Sequence, residues 1–365
     1  MGLTAGIVGL PNVGKSTLFN ALTKSHVLAA NYPFATIDPN VGIVEVKDSR
    51  LDRIVEIVKP RNVVRAAVSF TDIAGLVKGA SKGEGLGNHF LSHIRDVDAI
   101  CQVVRCFNGT EVIPYTGKID PIDDIETVNL ELVLADLDVV EKRIARVGKQ
   151  AQLKTEKDAE TEFSALSKIK AVLDEGKFAK TAALTEEEAA LIKNYSFLTM
   201  KPMIYVLNIS EKDLGQDNVY VQTVKVYASE NNIRTVVISA KIEEEVSGLD
   251  DETKEMFLAD LGIKESGLDQ LVRLTYDLLG LATYFTAGEK EAKAWTFRKG
   301  MKAPQCAGII HTDFERGFIR AEIVAYEDFI AYGGLLKARD AGKMRSEGKD
   351  YVFKDGDIAL FRFNV

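Results

Sequence analysis

Disulfide chemistry is the first thing this sequence lacks. Its 365 residues include three cysteines, Cys101, Cys106 and Cys306, with no C-x-x-C pair. Neither a disulfide framework nor a thiol-clasped zinc site is expected, and the thiols read as reduced and buried. Histidine is scarce too, with four residues too scattered for a metal cluster. No run reaches the roughly 18 uninterrupted apolar residues of a membrane span. The opening M-G-L-T-A-G-I-V-G-L has no basic segment followed by a long apolar stretch. Neither a membrane helix nor an export leader is therefore expected, which points to the cytoplasm. There is no excess of positive charge. The formal net charge of −8 argues against non-specific nucleic-acid binding by the whole surface, although a local basic patch stays open. Internal repeats and low-complexity tracts are absent.

What is present suits a globular protein of two or three domains, since 46% of residues are hydrophobic and 27% charged. The first third alternates short apolar strands with helical patterns, as in an α/β sheet. A-G-I-V-G-L reads as a strand entering a glycine-rich turn, and S-T-L-F-N-A-L as a helix with Leu18, Ala21 and Leu22 on one side. V-V-R-A-A-V-S-F-T-D reads as a strand ending at Asp72, and residues 99–107 as a buried strand. From about residue 125, Leu130, Val133, Leu134, Leu137, Val140, Ile144 and Val147 recur at helical spacing, and Phe163, Leu166, Ile169 and Leu173 repeat the pattern. Two such helices predict an antiparallel hairpin inserted at about 128–198, with a capping box at Thr185 and Glu188. Strands resume at P-M-I-Y-V-L and R-T-V-V-I-S-A. The predicted division is 1–280 for the α/β domain with its insertion, and 281–365 for a small mixed module. Its strands are expected at A-W-T-F, C-A-G-I-I-H, F-I-R-A-E-I-V and A-L-F-R-F-N-V.

The chemistry concentrates in a few motifs. Gly9–Ser16, G-L-P-N-V-G-K-S, fits G-x-x-x-x-G-K-S between a strand and a helix. The Asn12, Val13, Gly14, Lys15, Ser16 and Thr17 backbone is expected to close around phosphates at a helix N-terminus. Lys15 should reach the β- and γ-phosphates and Ser16 should coordinate Mg²⁺. Asp72-Ile73-Ala74-Gly75 fits D-x-x-G: the aspartate would hold a Mg²⁺-bound water and the Gly75 N–H would meet the γ-phosphate. Thr36 is the candidate second hydroxyl on Mg²⁺. Leu76 follows Gly75 where Ras-like enzymes place a water-orienting glutamine, so slow hydrolysis is expected unless water is positioned from elsewhere. His89 and His93 lie in or just beyond the glycine-rich stretch that follows, and His89 is the candidate to assist.

The base slot departs from the guanine pattern. N-K-x-D becomes Asn208-Ile209-Ser210-Glu211. Guanine offers two donors, N1–H and the N2 amine, to the aspartate, whereas adenine offers an N6 donor and an N1 acceptor. Glu211 carries the carboxylate on a stem one methylene longer, and Ile209 removes the lysine that packs beside the base. The residues lean towards ATP.

Taken together, G-L-P-N-V-G-K-S, N-Y-P-F-A-T, D-I-A-G-L-V-K-G-A-S-K-G-E-G-L-G-N, N-I-S-E, Y-F-T-A-G, I-H-T-D-F-E-R-G-F-I-R-A-E and A-G-K-M-R-S-E-G-K-D-Y resemble the Obg-like ATPases of the YchF type, over essentially the whole chain. The resemblance implies an OBG-type nucleotide domain, a helical hairpin and a C-terminal TGS domain of β-grasp type. It implies ATP as the preferred substrate, with Asn208 and the Ile209 backbone on the adenine and Ser239-Ala240-Lys241 as the S-A-K loop beside it. It implies Mg²⁺, a potassium ion near Asn12, and Leu76 as the hydrophobic substitute for the catalytic glutamine. It also implies the ribosome, through its large subunit, as partner in translation or stress control, with RNA met by the TGS domain and the hairpin. One departure stands out. Many relatives carry a histidine with an assigned catalytic role at the position aligned with Pro114.

Two readings remain open on the residues. The first is an ATP-hydrolysing switch whose residues 31–40 and 76–89 order and disorder. The second is a binding protein that nucleotide merely stabilises, which Leu76 and Pro114 favour. A metabolic kinase lacks any acceptor motif. Lys337, Arg339, Lys343, Arg345 and Lys349 form the basic cluster that would meet RNA phosphates.

Overall fold

The structure is a computed structural model that describes residues 3–25, 40–73, 75, 86–108, 118–153, 158–263 and 265–364. In chain order its elements begin β1 Thr4–Val8, α1 Lys15–Ser25, β2 Val41–Glu45, α2 Ser49–Val58, β3 Asn62–Val64, β4 Ala67–Asp72, α3 Leu86–Asp96 and β5 Ala99–Arg105. There follow α4 Pro121–Leu153, α5 Ala159–Asp174, α6 Glu186–Ile192, β6 Met203–Asn208, α7 Val219–Glu230, β7 Arg234–Ile238, α8 Ala240–Val246, α9 Asp251–Asp260 and α10 Gly267–Leu278. The last are β8 Leu281–Ala287, β9 Glu291–Arg298, α11 Ala303–Ile310, α12 Thr312–Arg316, β10 Phe318–Val324, α13 Tyr326–Tyr332, α14 Leu335–Asp340, β11 Arg345–Glu347 and β12 Ile358–Phe363. Among the described residues no helix is long and apolar enough to cross a membrane.

The chain divides into two compact units. One comprises Met1–Gly42 and Ser69–Leu268, the other Ile43–Val68 and Asp269–Val365. The second unit thus begins twelve residues before the expected boundary at 281 and takes in an early segment that a linear division does not anticipate.

The first sheet runs β2-β4-β1-β5-β6-β7. The pairs from β4 to β7 are parallel. Strands β5 and β6 are buried at every position, as a parallel sheet covered on both faces requires. Parallel strands bring their C-terminal ends to one edge, so the turns after β1, β4, β6 and β7 share that edge, where open α/β sheets bind ligands.

The hairpin is α4 against α5. Its core holds Val133, Val140 and Val147 against Ala165, Leu166, Ile169 and Leu173. Leu130 and Phe163, expected on the seam, are exposed at 49% and 38%. The α6 capping box forms as expected, with the Thr185 N–H donating to Glu188 at 2.8 Å and the Glu188 N–H donating to Thr185 at 3.2 Å. Asp136 on α4 is fully buried, although it lies outside the apolar spacing of that helix. Its carboxylate accepts from the Leu198 and Thr199 N–H groups and from the Thr199 hydroxyl, capping the short turn Leu198–Met200. Burial nonetheless pushes its pKa up, against those hydrogen bonds.

The second sheet runs β11-β10-β12-β8-β9-β3. Strands β8 and β9 form an antiparallel hairpin, α11 follows, and β12 returns parallel to β8, a β-grasp-like arrangement. Tyr284, Phe297, Phe353 and Phe361 interlock in its core. Two expectations are corrected here. C-A-G-I-I-H lies in helix α11 as far as Ile310, not in a strand: Pro304 fits the first turn, the Gln305 side chain accepts from the Lys302 N–H at 2.9 Å, and Ala303, Cys306 and Ala307 bury one face. The single strand expected over V-V-R-A-A-V-S-F-T-D is two, with β3 in the second sheet beside β9 and β4 in the first beside β1. All three cysteines are buried thiols.

Candidate functional site

The phosphate-loop segment leaves β1 and turns into α1. Asn12 takes φ 65° and Gly14 φ 93°, both in the left-handed region, where asparagine and glycine are the residues best tolerated. Gly14 is required on a second ground. A Cβ there would sit 2.2 Å from Nδ2 of Asn208. Lys15 opens α1 and is buried, while Ser16 is exposed on the first helical turn. Asp72 ends β4 opposite Ile7 of β1, and its carboxylate is ion-paired with the Lys15 ammonium. Gly75 lies against the loop: a Cβ on it would be 3.7 Å from the Gly9 carbonyl oxygen and from Pro11. A hydroxyl and a carboxylate beside a lysine are hard oxygen donors of the kind magnesium takes, so the residues fit that ion.

The base-slot residues sit at the same sheet edge. Asn208 ends β6 and is buried. Its amide donates to the Val13 carbonyl at 2.9 Å, and its oxygen accepts from the Ala240 N–H at 3.0 Å. The Ile209 N–H donates to the Ile238 carbonyl at 2.9 Å. Ser239 is buried, and among the described residues its hydroxyl has no hydrogen-bond partner. Glu211 accepts from the Lys241 ammonium at 2.8 Å, a pair that holds the Glu211 carboxyl below its ordinary range. Behind this loop, Glu243 of α8 accepts from Ser266, Gly267 and Leu268.

The structure therefore gathers Asn12, Val13, Gly14, Lys15, Ser16, Thr17, Asp72, Gly75, Asn208, Ile209, Glu211, Ser239 and Ala240 on segments at one sheet edge. Thr36, Leu76 and Pro114 lie outside the described residues, as does the side chain of His89, whose backbone is on α3. His93 is exposed on that helix. The basic cluster is largely offset by carboxylates: Arg339 lies 3.4 Å from Asp340, Lys343 3.4 Å from Asp328, and Arg345 3.4 Å from Glu347. The tie from Asn208 to the phosphate loop and the Glu211–Lys241 pair were not anticipated. The first depends on the pairing of β1, β5 and β6 and the second on that of β6 and β7, which no local pattern carries.

A parallel sheet whose first strand enters such a loop, with a carboxylate from the next strand on its lysine, defines a P-loop nucleoside-triphosphate-binding protein. Comparison with known proteins agrees. The family profile described as 50S ribosome-binding GTPase (MMR_HSR1) matches residues 4–143, and YchF-GTPase_C, a protein of unknown function, matches residues 281–364. The chain is 61% identical to the Ribosome-binding ATPase YchF of Bacillus subtilis and 52% identical to that of Escherichia coli O157:H7, each over 100% of both chains. A solved structure, that of the Schizosaccharomyces pombe YchF GTPase, is 41% identical and superposes with a TM-score of 0.90 over 99% of this chain and 98% of that one. This chain belongs to the YchF family.

Proposed function

We propose that this protein binds and hydrolyses ATP in preference to GTP and acts as a ribosome-associated switch in the cytoplasm. The observation that carries the reading is the Lys15–Asp72 pair at the mouth of the phosphate loop, with the departed base slot of Asn208–Glu211 on the same sheet edge. Relatives at 61% and 52% identity named for ribosome binding and ATPase activity support it.

Lys15 exchanges Asp72 for the β- and γ-phosphates as nucleotide enters. The freed Asp72 carboxylate, Ser16 and Thr36 would then hold Mg²⁺, which when bound neutralises charge on the β- and γ-phosphate oxygens. Gly75, beside the loop, offers its N–H to the γ-phosphate. Asn208 holds the loop under the base, and the Ile209 carbonyl is the acceptor for the adenine N6 amine, since its N–H is committed to Ile238. Leu76 supplies no hydrogen bond to water, so turnover of the isolated protein is slow; a partner or His89 would position the water, and a potassium ion held near Asn12 would supply positive charge beside the phosphates. The partner is the large ribosomal subunit, met by the hairpin and the C-terminal TGS domain from residue 281.

The deciding experiment titrates ATP and GTP and follows phosphate release in matched potassium and sodium buffers, with and without ribosomes. Tighter ATP binding, slow basal turnover and acceleration by potassium and ribosomes are expected. Equal or tighter GTP binding overturns the base assignment. Rapid turnover indifferent to potassium and ribosomes overturns the switch.

A further inference from the structure

Lys241 and Glu211 join the two loops that flank the base slot. The neighbours are fixed and buried, with Asn208, Ser239 and Ala240 at 5%, 3% and 3% exposure. The pair itself is on the open side, with the Glu211 and Lys241 side chains 43% and 65% exposed. Among the described residues the buried Ser239 hydroxyl has no hydrogen-bond partner and does not cap α8. The Glu211 carboxylate is thus drawn to an exposed ammonium rather than into the buried part of the slot.

We propose that Lys241 sets nucleotide specificity by holding the Glu211 carboxylate in an ion pair, so that the two guanine donors must compete with the ammonium for it. The inference rests on the reading of Asn208–Glu211 as an ATP-preferring base slot. The ammonium sits on one carboxylate oxygen and fixes where the group stands, so guanine engages both of its donors there only by competing with that ammonium. Towards adenine the balance reverses. Its N1 is an acceptor that a bare carboxylate would repel, and the ammonium cancels that repulsion. One pair therefore penalises guanine and admits adenine. Lys241 acts through Glu211 and is a positioning residue. Because the pair is exposed, its hold weakens as salt screens it.

The test compares ATP and GTP dissociation constants, both with magnesium, for the wild type, Lys241→Met, Lys241→Arg and the double variant Lys241→Met/Glu211→Ala. Methionine keeps an unbranched stem and removes the charge. The ratio of GTP to ATP dissociation constants is expected to fall about tenfold in Lys241→Met and to hold in Lys241→Arg. In the double variant it should return towards the wild-type value, since no carboxylate remains to accept. Raising salt should lower the ratio in the wild type and leave Lys241→Met unmoved, because phosphate screening is common to both nucleotides. A wild type that prefers ATP alongside a Lys241→Met variant with an unchanged ratio overturns this inference alone. A wild type without ATP preference overturns the base-slot reading and the inference with it.

Discussion

The side-chain amide of Asn208 donates to the backbone carbonyl of Val13, 195 residues away in the chain, at 2.9 Å. The same side chain accepts from Ala240, so one amide joins the phosphate loop, the end of β6 and the start of α8. Asn208→Ala should weaken ATP and GTP binding together, by about tenfold. Gly14→Ala should do more damage, because its Cβ would meet Asn208 at 2.2 Å with φ at 93°. Titration with both nucleotides checks this. A changed preference without a common loss would contradict the strut.

Lys15→Ala removes the charge that faces Asp72 and, on the proposed reading, the phosphates. Turnover should fall by about two to three orders of magnitude, with weaker nucleotide binding. Ser16→Ala should instead raise the magnesium concentration needed for half-maximal phosphate release. Unchanged turnover in both would place the chemistry elsewhere.

Asp136 is fully buried and accepts three hydrogen bonds from Leu198 and Thr199. Asp136→Ala strands two buried N–H groups and should cost about 3–5 kcal/mol, and Asp136→Asn less. Urea unfolding gives the difference. A loss below about 1 kcal/mol for Asp136→Ala would show that water replaces the carboxylate, since that is the net worth of an ordinary hydrogen bond.

Asp124, in the first turn of α4, has its pKa raised from 3.8 to about 6, chiefly by burial and then by Asp123 and Asp120, against the pull of Arg105. The folded state therefore holds this proton more tightly than the unfolded chain. The contribution to stability is full below about pH 4, declines between about 4 and 6, and is gone above. Asp124→Asn removes the decline. After discounting for partial exposure, the variant should gain roughly 1–2 kcal/mol over the wild type at neutral pH and little at about pH 4. Denaturant melts at the two pH values check it, and a gap independent of pH would contradict it.

The phosphate loop was legible because its residues are contiguous and the flanking strand and helix announce themselves by burial pattern. Asp72 was legible for the same reason, at the end of an alternating strand. Helix α11 was not, since C-A-G-I-I-H is a short apolar run whose period fits strand or helix, and the deciding residue, Pro304, lies just before it. Leu130 followed the apolar spacing yet faces outward, and Asp136 broke the spacing yet faces inward, because hydrogen bonds to Leu198 and Thr199 outweighed polarity. The Glu211–Lys241 pair escaped because it spans residues that only sheet pairing brings together.

Arg50 lies within the early segment Ile43–Val68, and its guanidinium grips Asp355 at 2.8 Å as well as the neighbouring Asp48. Asp355 in turn accepts from the Thr283 N–H at 2.8 Å, and β3 pairs with β9. During synthesis, then, α2 and β3 emerge among the first parts of the chain and their partners among the last. Until β9 is out, β3 has no neighbour in its sheet, and Arg50 meets Asp355 only when the final residues appear. Leu51 and Ile54 of α2, both fully buried in the finished protein, thus wait for β8, β9 and α13, the elements that pack on α2 and that are made more than 200 residues later.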